Sequence, residues 1–333
     1  MNAKNVKIIT FGAATRDVYM YGPSLHAHRA PAGGGGYVEQ FPLGAKVDVE
    51  HVYFDTGGGA TNAAVTFARQ GLNVEFIGKL GRDSSGDEVL RSLGTEGVEI
   101  GRVAYDDEHG TGYSVLLLAP TGERTALVYR GASHEIKTAD VDVAALEADW
   151  FYITSLAGNF DLLGKLLKHA SLNGIKVAID PGANELAHPD QLRALLPLVT
   201  VLKSNAGELK QVFGGDTLRH SVTAAAKVCP IVVGTNSVSG FMAAADGKLY
   251  KGGIYDEQTK VVDRNGAGDA FGSGFVSVLA RGGSIEAALS QGSANADGVI
   301  AVLGAKPGIL RAGDSVRQVK LEISDLPMSK ADE

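Results

Sequence analysis

The sequence predicts an α/β fold in three layers, with a mostly parallel central sheet between helices and a small antiparallel sheet beside it. Strands and helices alternate from residue 140 to residue 302, at the spacing of βαβ units. Two strand-like runs, 113–119 and 124–130, flank a Pro-Thr-Gly-Glu turn and predict a hairpin outside this alternation. We expect one domain over residues 1–333, with the small sheet drawn from about 18–56 and 110–132.

The first elements follow from local patterns. A β-branched strand is predicted at 6–11, an irregular stretch at 21–42 and an alternating strand at 46–54. A glycine-rich turn then starts a helix that ends at Gly71, followed by a strand at 73–78, a loop at 81–86 and a helix that ends at Gly94 or Gly97. We interpret the glycine run at 33–36 as a flexible excursion.

The second half supplies the βα units. Strands are predicted at 150–154, 175–180, 198–203 and 230–233, and helices at 160–172, 186–195, 206–213 and 218–228. A hairpin is expected from 241–245 and 248–251, and a long helix from 285 to about 302. The tail from Asp325 is expected to fray.

Bulk composition excludes several classes of protein. The chain has 333 residues, of which 44% are apolar, so it forms a large globular core. Its net charge of −7 argues against general binding to nucleic acid or to an anionic membrane. Neither a membrane-spanning run nor a signal pattern is apparent, and we expect a cytoplasmic protein. Cys229 is the only cysteine, which leaves a buried, inert thiol as the simplest interpretation.

The stretch 261–271 is predicted to form a short strand, a glycine loop and the start of a helix. Gly266 and Gly268 allow a tight turn that brings backbone N–H groups close to a ligand. The N-terminus of the helix attracts anions, so a carboxylate there, Asp269, needs an explanation. It either caps the helix or takes a proton from a hydroxyl that attacks a phosphorus. This stretch alone leaves both interpretations open.

Several motifs in one order resemble the ribokinase-like, or PfkB, family of ATP-dependent carbohydrate kinases. The run 263–269 reads Asp-Arg-Asn-Gly-Ala-Gly-Asp, similar to the family pattern Asp-Thr-x-Gly-Ala-Gly-Asp. Gly57 or Gly58 leading to Asn62 meets the pattern Gly-Gly-x-x-x-Asn, and the stretch 78–86 is similar to a third. The resemblance covers roughly residues 6–310 and implies a ribokinase-like fold with a β lid.

The resemblance assigns the catalytic roles at the second glycine loop. Asp269 would be the base that deprotonates the acceptor hydroxyl. The N–H groups of Gly266, Ala267, Gly268 and Asp269 would form the anion hole for the phosphoryl group transferred from ATP. Preorganised donors at a helix N-terminus suit that task physically.

The resemblance also implies a magnesium site. Asn205 and Glu208 match the family pattern Asn-x-x-Glu, and their spacing puts both at one helix start. Glu208 would orient waters on Mg²⁺, and Asn205 would approach the phosphates of ATP. The alternative is an N-cap Asn followed by a surface Glu.

Further residues match the substrate and nucleotide sites of the family. Asp17, Gly57, Gly58 and Asn62 resemble the sugar-binding set, and the antiparallel strands resemble a lid through which such proteins also form homodimers. On the nucleotide side the resemblance points to Thr235, Gly240, Asn295 and Gly304. Some family members hold a monovalent cation at the positions that match Asp263, Asn265 and Gly304, which makes K⁺ a candidate cofactor.

Departures from the family pattern leave the acceptor open. Arg264 replaces a threonine, Gly59 stands where ribose-specific members tend to carry lysine, and no acidic residue follows the strand at 150–154. A nucleoside would need an apolar slot, for which Phe11, Tyr19, Tyr53 and Tyr113 are candidates. A sugar phosphate would need at least two converging cations, for which the candidates are Arg16, Arg82, Arg124 and Arg130. A non-catalytic nucleotide-binding regulator is the rival from another class, and a dehydrogenase is disfavoured.

Overall fold

The computed structural model describes residues 6–25, 27–29, 37–119 and 124–327. The predicted glycine run at 33–36, the hairpin turn at 120–123 and the end of the tail beyond 327 lie outside these residues. The strands are β1 Lys7–Phe11, β2 Thr15–Tyr21, β3 Ala27–Arg29, β4 Tyr37–Glu39, β5 His51–Gly57, β6 Asn73–Ile77, β7 Lys79–Gly81, β8 Ala104–Asp106, β9 Gly112–Leu118, β10 Arg124–Tyr129, β11 Trp150–Ile153, β12 Lys176–Ile179, β13 Val201–Asn205, β14 Ile231–Thr235, β15 Phe241–Ala245, β16 Lys248–Gly252 and β17 Leu321–Asp325.

The helices complete a βα alternation in the second half of the chain. They are α1 Gly59–Arg69, α2 Ser84–Thr95, α3 Phe160–Asn173, α4 Ala183–Leu186, α5 Pro189–Leu195, α6 Ala206–Phe213, α7 Leu218–Ala225, α8 Ala267–Ala280 and α9 Ile285–Ile300. Within the described ranges, no helix is both long enough and apolar enough to cross a membrane.

The predicted three-layer α/β fold is confirmed. Among the described residues, nine strands form one sheet in the order β17-β16-β15-β14-β13-β12-β11-β1-β6, parallel from β14 to β6 and antiparallel from β14 to β17. Alternate residues of its strands enter two separate cores. Ile8 packs with Phe67 and Phe275 on the side of α1 and α8, whereas Ile9 packs with Leu166 on the side of α3. A sheet buried on both faces accounts for the near-continuous apolar strands.

A second sheet of four strands, β10-β9-β2-β5, stands apart from the first, as predicted. Its pairs β10/β9 and β2/β5 are antiparallel, whereas β2 and β9 pair in parallel. The strand β2 was not predicted, and the sheet begins at Thr15 rather than near residue 18. Asp17 therefore lies within a strand. The register aligns Asp17 with Ser114 and Ser114 with Val128, so one face of this sheet carries all three.

Three predicted elements need correction. The strand expected at 46–54 begins only at His51, and the helix expected at 186–195 is two short helices because Pro189 starts a new one. Residues 261–262 are not a strand. The edge strand β17, which ends at Asp325 where the predicted frayed tail begins, was not predicted; it pairs with β16, a non-local contact that local pattern does not reveal. The predicted burial of Cys229 is correct, and burial raises the pKa of its thiol to about 11.

Candidate active site

A polar pocket of about 460 Å³ lies between the second sheet and the carboxyl ends of the parallel strands. This is the usual position for a ligand in an open α/β sheet. Residues predicted for the substrate, for catalysis, for ATP and for the metal ions line it together: Asp17, Gly58, Asn62, Asn205, Glu208, Asn265, Gly266, Gly268 and Asp269. The motifs that are far apart in sequence therefore meet in one cavity.

Asp269 lies in the first turn of α8, and its carboxylate is held from a distant helix. Nδ2 of Asn62, in α1, donates a hydrogen bond of 2.8 Å to Oδ2 of Asp269. The opposite amide orientation would set two oxygens against each other, so this donor assignment is the favourable one. Oδ1 of Asn62 is buried and has no hydrogen-bond partner in the described part of the chain. Asn62 can therefore orient the carboxylate of Asp269 through Nδ2, while its Oδ1 is enclosed by the protein.

We expect Asn62→Ala to lower kcat by roughly 10- to 100-fold. The variant removes a hydrogen bond to a charged group, which is worth about 1.5–3 kcal/mol, and leaves Asp269 free to rotate. Initial rates on the best acceptor, with the dissociation constant of ATP measured separately, test this. The matched control is Asn159→Ala, which removes the amide side chain that caps α3, away from the pocket. An unchanged kcat in Asn62→Ala would show that the bond to Asp269 does not matter.

The glycines at the start of α1 are required by close contacts. A Cβ on Gly57 would overlap Oδ2 of Asp17, and one on Gly58, whose φ is +97°, would overlap the carbonyl of Ala13. The glycines thus let the Asp17 carboxylate lie against the backbone. Oδ1 of Asp17 accepts a bond of 2.8 Å from Thr15, and burial raises the pKa of its carboxyl.

The start of α8 forms a wall with a pocket on either side. Gly266, in the left-handed conformation at φ +77°, is its N-cap, and a Cβ there would stand 2.6 Å from Cβ of Ala305. Gly268 and Asp269 face the polar pocket, and Ala267 and Gly268 also face a second cavity. The free N–H groups of Gly268 and Asp269, in the first helical turn, lie at this wall, whereas that of Ala267 donates to the carbonyl of Arg264 at 3.4 Å.

The second cavity, about 440 Å³, is the aromatic pocket, lined by Phe241, Tyr255 and Phe271. Thr235 and Gly240 line it, as does Asn205. Asn295 and Gly304 are not among its lining residues, and their place on the nucleotide side stays a prediction. Asn295 is fully buried: Nδ2 donates to the carbonyl of Ala270 at 2.8 Å, and Oδ1 accepts from N of Leu310 at 2.9 Å. Its amide is used in the core, which a pattern match cannot detect.

Asn205 and Glu208 form a capping box at the start of α6. Oδ1 of Asn205 accepts from N of Glu208 at 3.0 Å, and Oε2 of Glu208 accepts from N of Asn205 at 2.8 Å. The capping alternative is thus realised, yet both side chains also line the polar pocket. Each keeps a second polar atom for a ligand.

Asp263 and Asn265 lie in the loop before α8, and most of their polar atoms are engaged. Oδ1 of Asp263 accepts from N of Asn265 at 2.9 Å, and Oδ2 accepts from N of Gly304 at 3.3 Å. Nδ2 of Asn265 donates to the hydroxyl of Tyr19 at 2.8 Å. The predicted grouping of Asp263, Asn265 and Gly304 is therefore a set of direct contacts. The described residues contain no cluster of three or more His, Cys, Asp or Glu that could hold a metal.

Sequence reasoning missed the pair Asp180 and Lys203, which lines the polar pocket. Nζ of Lys203 lies 2.7 Å from Oδ2 of Asp180, and both side chains are nearly buried. Burial raises the pKa of Asp180, with Lys203 acting in the opposite direction. The sequence signal that could have revealed this pair is a lysine in the middle of a buried strand, where Val201, Leu202 and Ser204 are its buried neighbours.

The candidate aromatic slot and the candidate arginines are mostly used elsewhere. None of the four proposed aromatic side chains lines the polar pocket, whose apolar wall is made by Leu116, Ala126 and Val128. Arg16 pairs with Glu88, Arg82 with Asp107 and Arg124 with Asp263, at 3.6, 2.9 and 3.8 Å. Arg130 alone of the four arginines lines the pocket.

A helix N-terminus with free N–H groups and a carboxylate beside it offers what a phosphotransferase requires: donors for the charge on a phosphoryl group and a base for the attacking hydroxyl. The family model of pfkB family carbohydrate kinases matches residues 35–310. The chain therefore belongs to the pfkB family of carbohydrate kinases. Membership confirms the predicted enzyme class, a phosphotransferase with an alcohol group as acceptor.

The chain is similar in sequence to sugar kinases and in fold to solved structures of both a ribokinase and an adenosine kinase. The ribokinase of Haemophilus influenzae is 25% identical over 264 residues, covering 76% of this chain and 83% of the relative. The structure of a putative ribokinase II from E. coli in complex with ATP and Mg²⁺ has a TM-score of 0.76 at 19% identity, covering 92% of this chain and 96% of its own. The adenosine kinase of Sinorhizobium meliloti has a TM-score of 0.74 at 19% identity, with coverage of 92% and 98%. These two structures share the fold of this chain.

Proposed function

We propose that this chain transfers the γ-phosphoryl group of ATP to a hydroxyl of a small sugar. The sugar occupies the polar pocket and the nucleotide the aromatic pocket. Asp269 takes the hydroxyl proton as the acceptor oxygen bonds to the γ-phosphorus. The bond from that phosphorus to its bridging oxygen breaks, and ADP leaves. The N–H groups of Gly266, Ala267, Gly268 and Asp269 stabilise the charge on the transferring group.

One observation carries this proposal: the start of α8 borders both pockets at once. Gly268 faces the two cavities, and the carboxylate of Asp269 faces only the polar one. A phosphoryl group passing between the pockets would meet the free N–H groups of the helix, while the base would remain on the acceptor side. A cap or a regulator needs no such division.

The residues at the mouth of the polar pocket suit Mg²⁺, which prefers oxygen ligands and keeps several waters. Glu208 uses Oε2 for its capping bond, so Oε1 is available to a metal-bound water. The absence of a three-carboxylate cluster among the described residues fits an ion held through waters and phosphate oxygens. When bound, Mg²⁺ would neutralise charge on the phosphates of ATP.

The lining of the polar pocket favours a neutral sugar over the two rival acceptors. The carboxylates of Asp17 and Asp269 offer acceptors for hydroxyls. A sugar phosphate needs at least two cations on the acceptor side, but of the four candidate arginines only Arg130 lines the pocket, and Lys203 lies where it meets the aromatic pocket. A nucleoside would have to place its base against the aliphatic side chains of the second sheet. Thr235 and Gly240 would contact the nucleotide.

We further propose that the second sheet acts as a lid over the sugar and joins two copies of the chain. Its inner face carries the pocket residues, and its outer face exposes Val52, Phe54, Leu127 and Tyr129. A row of exposed apolar side chains of this kind is typical of a protein interface.

Replacing Leu127 with glutamate tests the homodimer. If Leu127 lies in the centre of the interface, we expect the dissociation constant to rise roughly 30-fold or more, since central interface residues contribute at least 2 kcal/mol. Light scattering across a dilution series measures the mass. Leu172→Glu places the same charge on an exposed leucine of α3 and should leave the mass unchanged. A monomeric wild type would rule out the homodimer.

The decisive experiment measures ATP consumption with Mg²⁺ across a panel of free sugars, sugar phosphates and nucleosides. The wild type is expected to turn over one class, best a free sugar, and Asp269→Asn to turn over none. K⁺ is included and omitted in parallel, because the engaged atoms of Asp263 and Asn265 do not by themselves favour a cation site. Tight ATP binding without turnover on any acceptor would contradict the kinase proposal and favour the regulator.

A further inference from the structure

The ammonium of Lys203 lies where the two pockets meet. Lys203, Asn205 and Gly268 line both the polar and the aromatic pocket. Its side chain reaches this point along α8: Cγ and Cδ would stand 3.3 Å from a Cβ on Gly272, and Nζ 3.0 Å from a Cβ on Gly268. These glycines are one turn apart on the same face of the helix, so together they leave space for the lysine.

The position is electrostatically unusual. The N-terminus of α8 is the positive end of its dipole, and an ammonium beside it is repelled. Asp180 offsets part of this cost through its ion pair of 2.7 Å. Burial acts to lower the pKa of Lys203, but attraction to Asp180 and Asp269 outweighs it, so the lysine stays charged. The helix N–H groups and the ammonium together suit an anion that carries more negative charge than a single carboxylate does.

An ammonium has three N–H donors. Within the described residues, Nζ of Lys203 donates one hydrogen bond, to Oδ2 of Asp180. Two donors therefore remain for a group that enters the junction between the pockets. In the proposed reaction, the group that crosses this junction is the phosphoryl group of ATP.

We propose that Lys203 is a further catalytic residue, whose ammonium contacts the γ-phosphoryl group during transfer, and that Asp180 is the positioning residue that aims it. Lys203 keeps its proton throughout, and the acceptor proton still goes to Asp269. The inference rests on the proposed function and adds to it a side-chain cation next to the backbone anion hole. A preorganised donor of this kind typically changes kcat by about 10²–10³-fold.

The test compares ATP with ADP as ligands, both with Mg²⁺ and without acceptor. In Lys203→Met we expect the affinity for ATP to fall at least about tenfold, as for loss of a charged hydrogen bond, and the affinity for ADP to stay within twofold. Lys79→Met removes another buried lysine, which pairs with Asp106 and Asp140 at 3.1 Å, and should not change the ratio of the two affinities. An equal effect on ATP and ADP in Lys203→Met, or no effect, would overturn the proposal.

A double variant separates catalysis from stability. Removing one partner of a buried ion pair is strongly destabilising, whereas replacing both is often tolerated. We therefore expect Asp180→Asn combined with Lys203→Met to regain thermal stability but neither the preference for ATP nor kcat. If the double variant recovered both the preference for ATP and kcat, the ion pair would be only structural. If the wild type phosphorylates no acceptor, the proposed function fails, yet the ratio of ATP to ADP affinity still decides the role of Lys203.

Discussion

Asp269→Asn is expected to lower kcat by about 10⁴-fold, the upper end of the range for a general base. Asparagine keeps the size of the side chain but cannot take the proton of the attacking hydroxyl. It would also face the amide of Asn62, which now donates to the carboxylate at 2.8 Å. The other carboxylates that line the pocket, those of Asp17, Asp180 and Glu208, each have a partner of their own, so we expect no substitute base. Single-turnover rates on the acceptor found in the panel measure the effect.

Two control measurements show whether the loss of kcat is specific to the proposed base. The dissociation constant of ATP should change by no more than a few-fold, because the N–H groups of Gly266, Ala267 and Gly268 remain in place. Asp161→Asn, at the first turn of α3, removes an exposed carboxylate that pairs with Lys165 and should leave kcat unaltered. An Asp269→Asn protein that retains a tenth of the wild-type kcat would contradict the assignment of the base.

Gly57→Ala is expected to raise the KM for the acceptor by roughly 10- to 100-fold. The added Cβ overlaps Oδ2 of Asp17 and would lie 2.8 Å from Oγ1 of Thr15, so the carboxylate must move. Displacing a charged hydrogen-bond acceptor costs about 1.5–3 kcal/mol of binding. Crowding of this kind also lowers the free energy of unfolding by about 1–3 kcal/mol. Steady-state kinetics at saturating ATP and a thermal melt measure the two effects.

The matched control is Gly164→Ala, because no heavy atom lies within 4 Å of a Cβ built at that position in the middle of α3. It should stabilise the protein by about 0.5–1 kcal/mol without changing kinetics. Asp17→Asn should reproduce the change in KM seen in Gly57→Ala. If Gly57→Ala lowered stability but left the KM unchanged, Asp17 would not bind the acceptor.

Local patterns in the sequence predicted most helices and parallel strands. Helix α6 was predicted with its observed ends, since Asn205 and Glu208 are a capping signal and Gly214 follows the last turn. The glycine loop before Asp269 was recognised from motif order, and its N-cap Gly266 has the positive φ that favours glycine. Such signals act over a few residues and can be read from a single chain.

Contacts between distant residues came only from the tertiary structure. The bond from Asn62 to Asp269 spans 207 positions, and the pair of Lys203 and Asp180 depends on β12 and β13 being neighbours. Asn295 was assigned to a nucleotide site by motif, but its amide bonds within the core.

The sequence by itself therefore determined the α/β class, the family resemblance and the candidate base. The tertiary structure alone decided which side chains orient that base and which belong to the core. The physical reason is that periodicity and turn residues fix local backbone geometry, whereas strand order and register bring distant side chains into hydrogen-bonding distance.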